Sequence, residues 1–276
     1  MDILAQQRLA LIGGGVMAEA IIRGLLNQGL AAPQQLLVSE PIAQRREQLA
    51  HTLGVGVTAS NGEAVTGAQI VLFAVKPQVL SQVLGELAGR VPSEALVLSI
   101  VAGAPMAAFR QALGDLAMVR IMPNTPAQVG EGISVWTATP QVSERQRQQA
   151  RAIIGALGEE VYVEEEKYLD MATALSGSGP GYVFLFIEAL IDAGVRLGFA
   201  RPVAEKLVLQ TVRGSAILAQ RTGQHPAVLR NMVTSPGGTT AEGLVQLEEG
   251  GLRAAVARAV WASYERALAL GKGTKG

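Results

Sequence analysis

The sequence predicts an α/β protein: a doubly wound parallel sheet over residues 1–164, followed by an all-α region over residues 165–276. Three observations carry this reading. Short apolar runs alternate with helical patterns through the first half, the pattern of a sheet covered by helices on both faces. A glycine-rich turn, Gly13-Gly14-Gly15, lies directly behind the first apolar run. Beyond Tyr162 the strand signals stop and only helical periodicity continues.

In order, Leu9–Ile12 reads as a strand and Met17–Asn27 as its helix. Leu36–Ser39 is a second strand, and the helix behind it runs through Arg45 and Leu49. Gly56–Thr58 makes a short third strand, and Ser60-Asn61-Gly62-Glu63 has capping-box spacing for a short helix. Ile70–Val75 is a continuous apolar strand, after which Pro77 suits the first position of a helix. Leu96–Ile100 and Met118–Ile121 are strands with a helix from Pro105 between them. Ser134–Thr137 and Glu160–Val163 trail as strands around a helix at Ser143–Leu157. Helical patterns then cover Lys167–Leu175, Gly181–Leu197, Pro202–Arg221, Pro226–Met232, Thr239–Glu248 and Leu252–Leu270, with Gly, Pro or Ser in the breaks. The tail Gly271–Gly276 is expected to fray.

Composition excludes several classes. Lys plus Arg (23) balances Asp plus Glu (23), so there is no basic footprint for nucleic acid. Cysteine is absent, which removes disulfide and thiolate chemistry and fits a cytoplasmic protein. No cluster has metal-ligand spacing, so no metal is expected. The longest apolar stretch, Ala95–Phe109, is interrupted by Ser99, Gly103 and Pro105. It falls short of the roughly 18–20 uninterrupted residues of a membrane span, and no membrane is expected. Mean hydropathy is nevertheless positive, which points to apolar surface buried between subunits of a homo-oligomer.

Two loops carry the chemistry. Gly13-x-Gly15-x-x-Ala18 follows a strand and opens a helix, as in Rossmann-type dinucleotide-binding domains. Gly13 permits the tight turn, Gly15 lets backbone approach a pyrophosphate, and Val16 and Met17 behind them are further cofactor candidates. At the end of the second strand, Glu40 would accept from a ribose 2′-hydroxyl and favour NAD; Arg45 and Arg46 would instead meet a 2′-phosphate. Ser39 and Asn61 are further candidates near the adenosine ribose. Ala74-Val75-Lys76-Pro77 and Met122–Ala127 follow the fourth and sixth strands, on the edge where open sheets bind ligands. Lys76 would face the cofactor and Asn124 the nicotinamide end.

The second loop is Thr234-Ser235-Pro236-Gly237-Gly238-Thr239-Thr240. Backbone N–H groups around Gly238, Thr239 and Thr240, at a helix start, would hold a small carboxylate, with Ser235 as a helper. Thr240 would reach a ring nitrogen. Leu175–Tyr182, with Ser176 among four small residues, would allow close backbone approach near the reacting groups. His51 and His225 read as non-catalytic, and Glu164-Glu165-Glu166 as a solvated charge run. A nucleotide loop paired with a small-anion loop points to a two-substrate enzyme.

Together these motifs resemble the pyrroline-5-carboxylate reductase family from the Gly13 loop to Leu270. The resemblance rests on Ala74–Pro77, Arg120–Ala127, Leu175–Tyr182, Asp192-Ala193-Gly194 and Val233–Gly243. It implies a Rossmann domain followed by a helical dimerisation domain that interlocks with its partner, with decamers among the larger assemblies. It implies reduction of Δ1-pyrroline-5-carboxylate to L-proline, usually with NADPH, NADH being the alternative that Glu40 keeps open. It also implies substrate binding by Ser235, Gly238, Thr239, Thr240 and Ser176, with Thr240 as the catalytic residue. Two other classes compete. A β-hydroxyacid dehydrogenase-like NAD(P) oxidoreductase would need a lysine in a glycine-rich site of the helical domain, where Lys167 and Lys206 do not lie. A non-catalytic NAD(P)H-sensing protein would need no second anion site.

Overall fold

The computed structural model describes residues 3–273; residues 274–276 of the tail expected to fray lie outside the described residues. The chain forms two compact units, residues 1–178 with 263–276, and residues 179–262.

The first unit is built on an eight-stranded sheet. Its strands are β1 (Leu9–Ile12), β2 (Leu36–Ser39), β3 (Gly56–Thr58), β4 (Ile70–Phe73), β5 (Leu96–Ser99), β6 (Ala117–Met122), β7 (Gly132–Ala138) and β8 (Gly158–Tyr162). Their order is β3-β2-β1-β4-β5-β6-β7-β8. All neighbours run parallel except β6 and β7. The helices of this unit are α1 (Val16–Asn27), α2 (Ala43–Leu53), α3 (Asn61–Val65), α4 (Leu80–Leu87), α5 (Met106–Leu113), α6 (Glu144–Gly155) and α7 (Lys167–Ala172).

The strand alternation sorts the core into two layers. Leu9, Leu11, Ile70, Leu72, Leu96 and Leu98 face α1, α2 and α6, whose Ile21, Ile22, Leu25, Leu49, Ile153 and Ile154 bury against them. Ala10, Ile12, Val71, Phe73 and Val97 face α3, α4 and α5, with Val65, Leu80, Leu84, Leu87 and Phe109. Each fully buried aliphatic side chain contributes roughly 1.5–3 kcal/mol, so continuous apolar strands are what a doubly covered sheet requires. β4 ends at Phe73, two residues before the apolar run ends, because Ala74 and Val75 turn onto the sheet's carboxyl edge. Pro77 opens a 3-10 turn, Pro77–Val79, that leads into α4.

Two expectations need correction here. Only half of the capping box at Ser60 forms: Ser60 Oγ accepts from the Glu63 N–H, while the Glu63 carboxylate takes the Thr58 hydroxyl instead. The run Leu175–Tyr182 is not a break. α7 continues through a π-helical turn, Thr173–Gly177, into α8 (Gly179–Arg196). The Thr173 and Ser176 hydroxyls bond back to the Leu169 and Ala172 carbonyls. A Cβ on Gly177 would come within 2.6 Å of Met122 Cε, so β6 seats this turn tightly.

The second unit, by itself, is helical. It holds α8, α9 (Arg201–Thr222), α10 (Pro226–Met232), α11 (Thr239–Glu249) and the start of α12 (Leu252–Gly273). α8 and α9 pack as a hairpin in which Gly194 sits against Ala204. Large apolar side chains remain exposed along it, Phe184 by 61% and Leu185 by 67%. The helical run Lys167–Arg196, 30 residues, is long and apolar enough by length and composition to cross a membrane. The sequence argument against a span therefore holds only for uninterrupted apolar runs.

Candidate active site

The carboxyl ends of β1, β2 and β4 gather the nucleotide candidates. The Gly13 N–H donates to the Ser39 carbonyl at 2.8 Å, and the Ala74 N–H donates to that of Ile12 at 2.8 Å. Gly13 has φ +100°, and a Cβ there would lie 2.9 Å from the Ala74 carbonyl oxygen, so only glycine fits this crossing. Gly15 differs. Its φ of −70° suits any residue, and a Cβ there would meet nothing within 4 Å. Gly15 caps α1 without a side-chain bond, so the first-turn N–H groups at Val16 and Met17 have no acceptor within the helix. An open cradle over an uncapped helix start fits a pyrophosphate.

Ser39 and Asn61 are brought together: the Ser39 hydroxyl donates to Asn61 Oδ1, and Asn61 Nδ2 donates to Glu86 at 2.7 Å. Lys76 is exposed and caps the 3-10 turn that Pro77 begins. Asn124 caps the 3-10 turn Thr125–Val129, and its Oδ1 accepts from the Ile133 N–H at 3.0 Å. That bond fixes the loop between β6 and β7.

The charged trio at the end of β2 does not behave as one group. Glu40 is 8% exposed and accepts from the Gly14 and Ile42 N–H groups, each at 3.0 Å. Arg45 donates to the Gly14 carbonyl at 2.7 Å and pairs with Glu19 at 2.6 Å. Arg46 donates to the Glu40 and Pro41 carbonyls. Burial pushes the Glu19 carboxyl up, but hydrogen bonds and charge from Arg23 and Arg45 outweigh this and hold it below its ordinary value.

The acidic run at 164–166 is corrected. Glu165 pairs with Lys167 at the surface, but Glu166 turns inward. It takes Arg120 at 2.8 Å and the Met106 N–H at 2.7 Å, and Asp170 takes the other Arg120 nitrogen at 2.9 Å. Arg120 is 4% exposed, and a buried guanidinium demands such partners. A single arginine inside the apolar run Ala117–Met122 was the sequence signal for them. Among the described residues no group of acids and histidines could hold a metal ion.

In the second unit, Ser235–Gly238 close a turn, with the Gly238 N–H donating to the Ser235 carbonyl at 3.0 Å. Gly238 then caps α11 without a side-chain bond, leaving the first-turn N–H groups at Thr239 and Thr240 without helical acceptors. A Cβ on Gly238 would lie 2.4 Å from Ser235 Oγ, so that hydroxyl sits against the helix start. Thr240 is half-buried in the first turn. His225 caps α10, its Nδ1 accepting from the Ala227 N–H at 3.2 Å, while His51 is exposed.

Known proteins resemble the chain along its whole length. Residues 166–270 match the family model for pyrroline-5-carboxylate reductase dimerisation. Residues 8–103 match the model described as NADP oxidoreductase, coenzyme F420-dependent. A pyrroline-5-carboxylate reductase of Synechocystis is 46% identical over 96% of this chain and 98% of its own. The solved reductase of Coxiella burnetii is 36% identical, with a TM-score of 0.87 over 96% of this chain and 98% of that one. The solved pyrroline carboxylate reductase of Plasmodium falciparum, with NADP bound, is 33% identical, with a TM-score of 0.89 and the same coverage. On this full-length likeness, the chain belongs to the pyrroline-5-carboxylate reductase family.

Proposed function

We propose that this chain transfers a hydride from NADPH to the C=N bond of L-1-pyrroline-5-carboxylate and releases L-proline, the last step of proline biosynthesis. Family membership supports the reaction, and the NADP in the Plasmodium relative supports the coenzyme. The single observation that carries the residue assignment is the uncapped start of α11 with Thr240 in its first turn.

Ser235, Gly238 and Thr239 hold the substrate carboxylate, where free N–H groups and the helix dipole favour an anion. Gly13, Gly15, Val16 and Met17 hold the coenzyme's pyrophosphate. Ser39, Asn61, Ala74, Val75, Lys76, Pro77 and Asn124 line its remaining length, and Ser176 contributes to substrate binding. When bound, NADPH supplies the hydride. The substrate enters as its iminium, and the Thr240 hydroxyl accepts a hydrogen bond from the protonated ring nitrogen. That bond fixes the tilt of the ring, and the proton stays on nitrogen as the amine forms. The enzyme's contribution is orientation and electrostatics, so no histidine acid is needed.

Residues 1–164 serve the coenzyme and 165–276 the substrate and the partner subunit. The dimerisation region makes the chain a homo-oligomer. We assign interlocked dimers assembled into decamers, which light scattering tests against the 28.8 kDa protomer. The cysteine-free composition supports a cytoplasmic location. The reaction is tested by adding Δ1-pyrroline-5-carboxylate to the enzyme with NADPH and, separately, with NADH. Loss of nicotinamide absorbance with equimolar proline is the expected result; coenzyme binding without oxidation would overturn the reading.

A further inference from the structure

α12 begins in the helical unit and returns to the sheet unit from Ser263 onward. Two contacts define where its returning half docks. At the start, the Ser263 and Ser178 hydroxyls are hydrogen-bonded at 2.9 Å. Ser178 closes the π-helical turn, its N–H donating to the Thr173 carbonyl five residues back at 2.8 Å. Near the end, α12 meets the loop behind β5. A Cβ on Gly103 would lie 3.0 Å from Leu270 Cβ, and one on Gly271 would lie 3.3 Å from the Gly103 carbonyl oxygen. Gly103 has φ +69°, so conformation as well as space calls for glycine there. Between the two contacts Ala267 is buried.

β5 lies between β4 and β6 and runs parallel to both. The loop at its carboxyl end, which carries Gly103, therefore stands between the loops behind β4 and β6, Ala74–Pro77 and Met122–Ala127. The π turn carries Ser176. Within one compact unit, α12 thus ties the segment given to the substrate to a loop flanked by segments given to the coenzyme. The helix rises about 10 Å between Ser263 and Leu270. A hydroxyl, a leucine and a glycine at these contacts supply no acid or base. A rod with both ends fixed supplies spacing, and a misplacement of about 1 Å costs about a hundredfold in a transfer step. Resting on the reaction and site assignments above, we propose that residues 263–271 are a strut for hydride transfer. Ser263, Leu270 and Gly271 are positioning residues that hold the π turn and the β5 loop at the working distance.

The test is single-turnover kinetics. Full-length enzyme loaded with NADPH is mixed with saturating Δ1-pyrroline-5-carboxylate, and the loss of nicotinamide absorbance is followed. Gly271→Val drives a branched side chain at the Gly103 carbonyl and lowers the rate at least about tenfold, whether the loop yields or the helix end lifts. Gly271→Ala, which helix propensity alone favours, keeps or raises the melting temperature and still slows turnover several-fold. Ser263→Ala also slows it several-fold, and Ser263→Thr, which keeps the hydroxyl, restores it. In each variant the NADPH dissociation constant stays within about twofold of native, because Glu40 and Arg45 brace the glycine loop. The strut is overturned if Gly271→Val turns over within about twofold of the native rate, or if coenzyme affinity falls in proportion to the rate. Should Gly271→Val fail to fold, Gly271→Ala and Ser263→Ala decide by the same criteria. A native protein that binds NADPH without oxidising it overturns the reaction and the strut together. An active native protein with unimpaired variants overturns the strut alone.

Discussion

Single residues separate what holds the fold from what serves the ligand. Gly15 has ordinary backbone and open space around its missing side chain. Gly15→Ala should therefore leave thermal stability within about 0.5 kcal/mol of the native protein, while coenzyme affinity falls several-fold as the methyl enters the cradle. Thermal unfolding and nucleotide titration of one sample check both halves. Thr240 is the residue proposed to meet the substrate's ring nitrogen. Losing one hydrogen bond to a charged ring nitrogen should lower kcat/KM in Thr240→Ala about tenfold or more, with little change in melting temperature, because Thr240 anchors no other element. Steady-state kinetics with varied pyrroline carboxylate read this directly. The open helix starts at both loops were legible in the sequence because glycine and hydroxyl residues mark exposed backbone N–H groups. The roles of Glu40, Arg45 and Arg46 were not, because their directions depend on which main-chain groups fold within reach.

Among the elements, β1, β4 and β5 were the most legible because each is an apolar run buried on both faces. The apparent loop Leu175–Tyr182 was misread for a physical reason. Gly and Ser usually end helices, but here the hydroxyls satisfy carbonyls of the same helix and Gly177 admits Met122, so the chain stays helical with one π turn. The junction of β7 and β8 shows how strict a backbone requirement can be. Gly158 has φ +131°, and a Cβ there would lie 2.2 Å from the Gly132 carbonyl oxygen. Gly158→Ala should cost more than about 3 kcal/mol and loosen the edge strand, measured by denaturant unfolding. The start of α1 carries an electrostatic counterpart. Glu19 has its pKa lowered in the folded chain by Arg23 and Arg45, so its stabilising effect is present above the ordinary value of 4.5 and is lost as pH falls through the lower folded value. The difference in melting temperature between the native protein and Glu19→Gln should thus be largest near neutrality and vanish in that acid window. A difference independent of pH would contradict the pairing.

At the scale of the whole molecule, the sheet unit carries the open glycine loop at the start of α1, and the helical unit carries the uncapped α11. The helical unit also exposes more large apolar surface than a solitary domain tolerates, and the dimerisation match over 166–270 gives that surface its partner. Positive mean hydropathy made an oligomer legible in the sequence; which side chains form the interface was not, because periodicity cannot tell a helix face turned to its own core from one turned to another subunit.

In the proposed reaction a free helix start recognises the substrate's carboxylate while the imine is reduced. The direct measurement is kcat/KM for Δ1-pyrroline-5-carboxylate against Δ1-pyrroline, which keeps the imine and lacks the carboxylate. Without the carboxylate kcat/KM should fall about a hundredfold or more, the worth of two charge-assisted N–H bonds. Comparable values for the two imines would contradict it.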